Sequence, residues 1–266
     1  MNFTKYNIAG KDYIYCPDET AFGNLPDNGI LSICDRFSGA GADGIFTFCK
    51  ASAKTSLIKG FSDNGDIMRN FSSASICAFF EQFLTTGVTE HTFSSETGQI
   101  FTVKADISEE KTVFSCTLKS PAEDSFRRIS NRKTEIGNRI LTITPVSIHG
   151  IYAVHFTDCR DKLNKNYLGQ HISKNSLFSK EASLILTEKT DVNFFDISFY
   201  ENKTGCPRPE VSAFAAVDLA ACRNDICRYG DEIFVTCNGN TVKVTCNSTE
   251  SVTIKCTCER VFEGKI

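Results

Sequence analysis

The 266 residues contain no tryptophan, two methionines and six prolines, no C-x-x-C pair, no dense Lys/Arg block and no apolar run of bilayer length. Each absence removes a class of function. Without a basic block, and with 29 basic against 32 acidic residues for a net charge of -3, there is no electrostatic footprint for nucleic acid or for an anionic membrane. The start, Met1-Asn2-Phe3-Thr4-Lys5, carries no basic leader followed by an apolar segment, so a cytoplasmic protein is expected. Thirteen cysteines are present, but the count is odd and they are spread from Cys16 to Cys258 without the spacing of a zinc site. They read as small buried hydrophobes in a reducing cell, and no metal is expected. Cys256-Thr257-Cys258 is the tightest pair, and two thiols without a second pair make a poor metal site.

What is present is apolar and aromatic: 41% hydrophobic residues and 22 phenylalanines, enough for one large or two medium cores. The turn signals Asp63-Asn64-Gly65, Thr97-Gly98 and Asn238-Gly239 separate β-branched runs such as Gln99-Ile100-Phe101-Thr102-Val103 and Thr241-Val242-Lys243-Val244, which read as strands and hairpins. Two short helices are expected, from 72 to about 84 and from 211 to about 223, each rich in Ala and Phe with few charges. A helix that is apolar on nearly every side belongs inside a protein.

Polar loop, buried helix and hairpin recur in the same order. Phe71 and Glu210 stand 139 residues apart, and Gly98 and Gly239 stand 141 apart. This near-constant offset predicts an α/β protein of two similar lobes, each with strands wrapped around a central helix, and a ligand cleft between them. The first lobe is expected over 1–120 and the second over 121–258, with 259–266 returning to the first. The linker is placed at Lys119-Ser120-Pro121-Ala122-Glu123-Asp124, where apolar alternation stops. The polar run 161–180 reads as a solvated helix and loop within the second lobe.

Several segments resemble one family in order along the chain. Phe61-Ser62-Asp63-Asn64-Gly65 through Cys77 is similar to F-N-x-D-G-S-x-x-x-x-C-G-N-G-x-R-C, and Tyr200-Glu201 through Ala216 is similar to Y-E-R-G-x-G-E-T-x-x-C-G-T-G-A. Asp35-Arg36-Phe37-Ser38-Gly39-Ala40-Gly41-Ala42-Asp43-Gly44 resembles D-R-x-x-G-x-G-A-D-G, and Glu259-Arg260-Val261-Phe262-Glu263-Gly264 resembles A-E-R-V-F-E-G. These are the patterns of diaminopimelate epimerase, an isomerase of lysine biosynthesis. The resemblance implies a fold that works without pyridoxal phosphate or metal, so no cofactor is expected. The glycine run then reads as a tight turn and not as a dinucleotide fingerprint.

The family's reaction uses two thiols, one removing an α-proton and one delivering a proton to the opposite face. Phe71 and Glu210 stand at those two positions here. A phenylalanine can do neither job, and Glu210 is a carboxylate able to act as a base on one face only. Cys206, four residues before Glu210, is the one thiol to test as a replacement, while Cys77 lies nearly two helical turns beyond Phe71.

Lys11 and Ser62 replace two asparagines of the family, and Asn202 replaces the arginine beside Glu201. Asn193 is matched to the family's substrate asparagine. Ser72, Ser73, Val211 and Ser212 replace the glycine-rich helix starts, where unpaired N–H groups attract anions and serine also serves as a cap. Lys11, Arg69 and Arg208 would add positive charge, or would be ordinary surface residues. His149 stands where the family binds substrate.

Three functions follow. The first is a binding or regulatory relative, a pseudoenzyme, that takes a small amino or carboxylic acid without two-thiol epimerisation. The second is an altered isomerase using Glu210 as its acid/base group, by analogy with the phenazine-pathway isomerase fold, where carboxylates transfer protons. The third is a partner subunit of an active epimerase, as a heteromer or, like many family members, a homodimer.

Overall fold

The computed structural model describes residues 1–26, 28–108, 112–121, 125–178, 182–202 and 205–265. Ala122, Glu123 and Asp124 of the expected linker, Ser179 and Lys180 of the polar run and Ile266 lie outside the described residues. The chain forms two compact units. One comprises Met1–Cys116 with Cys256–Ile266, and the other comprises Thr117–Lys255.

In the first unit the strands are β1 (Asn2–Ile8), β2 (Lys11–Tyr15), β3 (Gly44–Lys50), β4 (Thr55–Ser62), β5 (Glu90–Ser95), β6 (Ile100–Ile107) and most of β7 (Thr112–Lys119), with β16 (Cys258–Lys265). Their order in the sheet is β16-β1-β2-β3-β4-β5-β6-β7. Neighbours are antiparallel at β1–β2, β3–β4 and β5–β6 and parallel at β2–β3 and β4–β5. Each parallel step needs a crossover. The first carries the short helices α1 (Glu19–Gly23) and α2 (Gly29–Cys34), and the second carries α3 (Ser72–Thr86).

The sheet is covered on both faces at β2, which explains a strand buried at both alternating positions. Ile14 packs with Phe22, Ile30 and Ile33 under α1 and α2. Its neighbours Tyr13 and Tyr15 point to the opposite face and meet Phe46. Helix α3 ends at Gly87, whose φ of 69° suits glycine, and whose N–H caps the Phe83 carbonyl at 2.9 Å. Its rings Phe79, Phe80 and Phe83 surround Phe114 at 5.1–6.1 Å.

The second unit repeats this plan. Its strands are β8 (Arg132–Ile136), β9 (Arg139–Ser147), β10 (Ile151–Phe156), β11 (Ser183–Asp191), β12 (Phe194–Tyr200), β13 (Glu232–Cys237), β14 (Asn240–Ser248) and β15 (Ser251–Cys256), arranged β15-β14-β13-β12-β11-β10-β9-β8. The parallel steps are β10–β11, crossed by α4 (Lys165–Ile172), and β12–β13, crossed by α5 (Val211–Arg223). Strand β8 lies beside β9 as β16 lies beside β1. The last residues of β7 belong to this unit, where Thr117 meets Thr253 through their hydroxyls at 3.1 Å.

Helix α4 corrects one expectation, because residues 161–178, the described part of the polar run, are only partly solvated. Asn164 caps the helix by accepting the Tyr167 N–H at 3.0 Å, and Leu168, Gly169 and Ile172 are buried against Leu184, Leu186 and Phe178. A Cβ at Gly169 would stand 2.1 Å from the Tyr200 ring, so the close approach of helix and strand requires glycine there. Among the described residues no helix is long and apolar enough to cross a membrane.

Candidate functional site

Each unit has one end where a helix starts beside strand ends, and the two ends are described separately. In the first unit Tyr13 pairs with Gly44 and Gly44 with Ser62, so the starts of β2 and β3 and the end of β4 lie side by side. Lys11 opens β2 and is only 5% exposed, so it is not the ordinary surface charge that its loop suggests; Arg69 is exposed. Arg36 bridges Asp12 at 2.7 Å and Asp43 at 2.9 Å, and Asp43 also accepts the Asp12 N–H at 2.9 Å. The D-R-x-x-G-x-G-A-D-G segment is thus a brace between strands. Gly41 turns with a φ of 72°, and the Gly41 and Ala42 N–H groups return to Ile33 and Cys34.

The loop 63–71 leads into α3. Gln99, in the β5–β6 turn, reaches back to it: its amide donates to the Arg69 carbonyl at 2.9 Å and its oxygen accepts the Phe71 N–H at 3.3 Å. Asn70 accepts the Ser72 N–H at 3.0 Å. Phe71 is the N-cap residue and 1% exposed, and Ser72 and Ser73 are fully buried. A phenylalanine here supplies area for burial and no proton.

The second unit places Glu210 at the start of α5 in an extended conformation, 7% exposed, with a side chain that makes no capping bond. Its carbonyl accepts the Ala213 N–H at 2.9 Å. Ser212 and Tyr152 share a buried hydroxyl–hydroxyl bond of 2.7 Å, which fixes the first turn of α5 to the start of β10. The loop before Glu210 is tied at its base by Glu201 N–H to Cys206 carbonyl at 3.1 Å and near its end by the Asn238 amide to the Pro207 carbonyl at 3.1 Å. Gly205 makes that turn with a φ of 66°.

His149 lies in the β9–β10 hairpin with a φ of 51°, at the same end as Glu201, because Ser147 pairs with Ile151 and Tyr152 with Ser183. Burial holds its imidazole down at about 4, so it is neutral at neutral pH. The half-buried Cys206 thiol faces the Arg208 carbonyl at 3.8 Å.

Asn193 stands apart from Glu201. It sits in the β11–β12 turn, with its carbonyl accepting Phe234 N–H at 2.8 Å, whereas Glu201 follows the far end of β12. Seven extended residues separate the two ends by roughly 20 Å. At the Glu201 end the hydroxyl is that of Ser183, which accepts the Asn202 N–H at 3.3 Å. Sequence reading missed Ser183, Gln99 and the Tyr152 contact, since none belongs to a motif; strand register is the signal that finds Ser183. Cys77 is in the core of α3, fully buried.

No family model matches the chain. Solved structures do. A hydroxyproline epimerase from Agrobacterium vitis with bound trans-4-hydroxy-L-proline is 12% identical, with a TM-score of 0.69 over 99% of this chain and 91% of that one. A phenazine biosynthesis protein of the PhzF family from Enterococcus faecalis is 13% identical, with a TM-score of 0.65 over 99% and 97%. Methylitaconate-delta-isomerase is 11% identical, with a TM-score of 0.63 over 99% and 95%. At these identities the likeness is one of fold: this chain has the α/β architecture of the PhzF and proline-racemase type.

Proposed function

We propose that this chain is an isomerase-type protein for a small carboxylic or amino acid, in which Glu210 moves one proton on one face of the ligand and no two-thiol inversion takes place. The observation that carries the reading is the placement of Glu210: a nearly buried carboxylate at the start of a 13-residue buried helix. The positive end of the helix dipole favours a ligand carboxylate, and a carboxylate base beside it can take a proton from the adjoining carbon. The carboxyl group exchanges that proton with solvent and protonates another carbon on the same face, which shifts a double bond, whereas inversion needs a second group on the other face. Phe71, at the corresponding helix start, has no proton to exchange.

The fold likeness to an epimerase and to an isomerase supports the reaction class. Epimerisation of diaminopimelate lies outside this reading, since its residue pattern keeps neither thiol. Ser212, held by Tyr152, and the neutral His149 are the polar groups of the same unit that would meet the ligand.

Incubation with unsaturated dicarboxylic acids and amino acids in deuterated water tests it. Deuterium entry at a carbon-bound position is expected for at least one of them, with a loss of about 100-fold or more in Glu210→Gln. Exchange unchanged in Glu210→Gln refutes the role of Glu210. A second reading, binding without turnover, rests on the closed aromatic ring of Phe71, and it gains if ligand binding is seen with no exchange at all. Association with a second copy or with a cysteine-complete epimerase is proposed as well, and co-purification from the native cell reads it.

A further inference from the structure

We propose that Cys77 and Cys258 form an oxidant-responsive dithiol that closes to a disulfide and ties the C-terminal strand β16 to helix α3. The Cys258 thiol donates to the Cys77 sulfur at 3.7 Å, in a buried contact between residues 181 apart in sequence. A disulfide needs sulfurs about 2.05 Å apart. The remaining approach falls to β16 and not to α3. Helix α3 is packed on nearly every side over its first two turns, while β16 pairs among the described residues with β1 alone, changes register between Lys5 and Tyr6, and exposes residues 259–263. An edge strand opens at lower cost than a central helix, and its opening admits a small oxidant.

The oxidant class is a low-molecular-weight disulfide such as oxidised glutathione. The Cys258 thiolate attacks one of its sulfurs, forming a mixed disulfide and releasing one small thiol. The Cys77 thiolate then attacks the Cys258 sulfur, the protein disulfide forms, and the second small thiol leaves. Each protein sulfur has lost one electron, the oxidant is reduced to two thiols, and those thiols carry away the two protons.

A second thiol cluster lacks these conditions. Cys222 and Cys246 lie with Asp218 beneath β14, which has β13 on one side and β15 on the other. Their hydrogen bond and burial push the Cys222 thiol far above the usual range, so thiolate is scarce and no edge opens.

The test uses the full chain with oxidised glutathione, followed by acid quenching, alkylation and peptide mapping by mass spectrometry. Expected are the loss of two hydrogens and a linked peptide joining Cys77 to Cys258. A rise in thermal midpoint on the order of 10 °C should accompany them, because the closed loop is so long. A reductant should reverse both, and Cys258→Ser, with an unchanged circular dichroism spectrum, should show neither. The exposed Cys159 serves as the internal measure of oxidation. If Cys159 is fully glutathionylated while Cys77 and Cys258 still take the alkylating agent after unfolding, the inference is overturned. A link from Cys77 to Cys256 or Cys116 overturns it equally, and that mapping does not depend on any variant folding.

Discussion

Helices α3 and α5 begin 139 residues apart, follow the same kind of loop and cross the same kind of parallel step, yet at matching positions one carries Phe71 and Phe79 and the other Glu210 and Asp218. All four side chains are buried. In the first unit this is ordinary packing: Phe79 lies edge-on to Phe114 at 5.8 Å and beside Phe83. In the second it costs free energy, because a carboxyl group removed from water must find partners or keep its proton. Burial pushes the Asp218 carboxyl up to about 7, and its Oδ2 has no hydrogen-bond partner among the described residues. A duplicated scaffold has thus been filled with hydrocarbon in one copy and with acids in the other. Positions that depart from the economical filling are the ones to question for function.

Predictions follow from exchanging the two fillings. The largest effect is expected from Phe79→Ala, which should lower stability by about 3–5 kcal/mol in urea titration by opening a cavity under Phe114. A cost below that of an exposed substitution would mean that α3 is not the core of its unit.

Next comes Asp218. Its folded carboxyl holds the proton to about pH 7, while the unfolded one releases it near 3.8, so stability should fall as pH rises between those values. The full cost at alkaline pH is on the order of 4 kcal/mol. Asp218→Asn should remove this fall and expose the opposite slope from His149. That group protonates at about 4 when folded and near 6.5 when unfolded, so its contribution is lost as pH drops through this window. Thermal midpoints from pH 4 to 8 read both; a wild-type midpoint flat over this range, with Asp218→Asn identical to it, contradicts the assignment.

Smaller effects should separate the two loop ties. Gln99→Ala removes two bonds to the loop before α3 and should cost about 1–2 kcal/mol. Asn238→Asp removes one bond to the loop before α5, keeps a residue that tolerates the left-handed turn, and should cost about 1 kcal/mol or less. Equal losses in chemical denaturation would show that the two loops are held alike.

Much of this scaffold was legible in the sequence. Small residues, phenylalanines and a lack of charge located both buried helices, with α5 at 211–223 as expected and α3 reaching Thr86. The constant offset exposed the repeat before any strand pairing was known. Placement around the helix starts was less legible. Asn193 and Glu201 are eight residues apart and look like neighbours, but an extended strand separates them. Conversely Ser183 and Asn202 are 19 apart and touch. Lys11 reads as a solvated charge because burial depends on strands that arrive from elsewhere in the chain. Leu168 and Ile172 were hidden for a similar reason, since two apolar residues in a polar run do not reveal which sheet face they will cover.

The return of β16 to the first unit also fixes an order of assembly. Residues 117–255 are contiguous and can condense while still emerging from the ribosome, whereas the N-terminal unit waits for a segment translated after all of them. Until that segment arrives, one border of β1 offers unpaired N–H and C=O groups to any passing chain, so the newborn protein depends on the speed with which its tail docks.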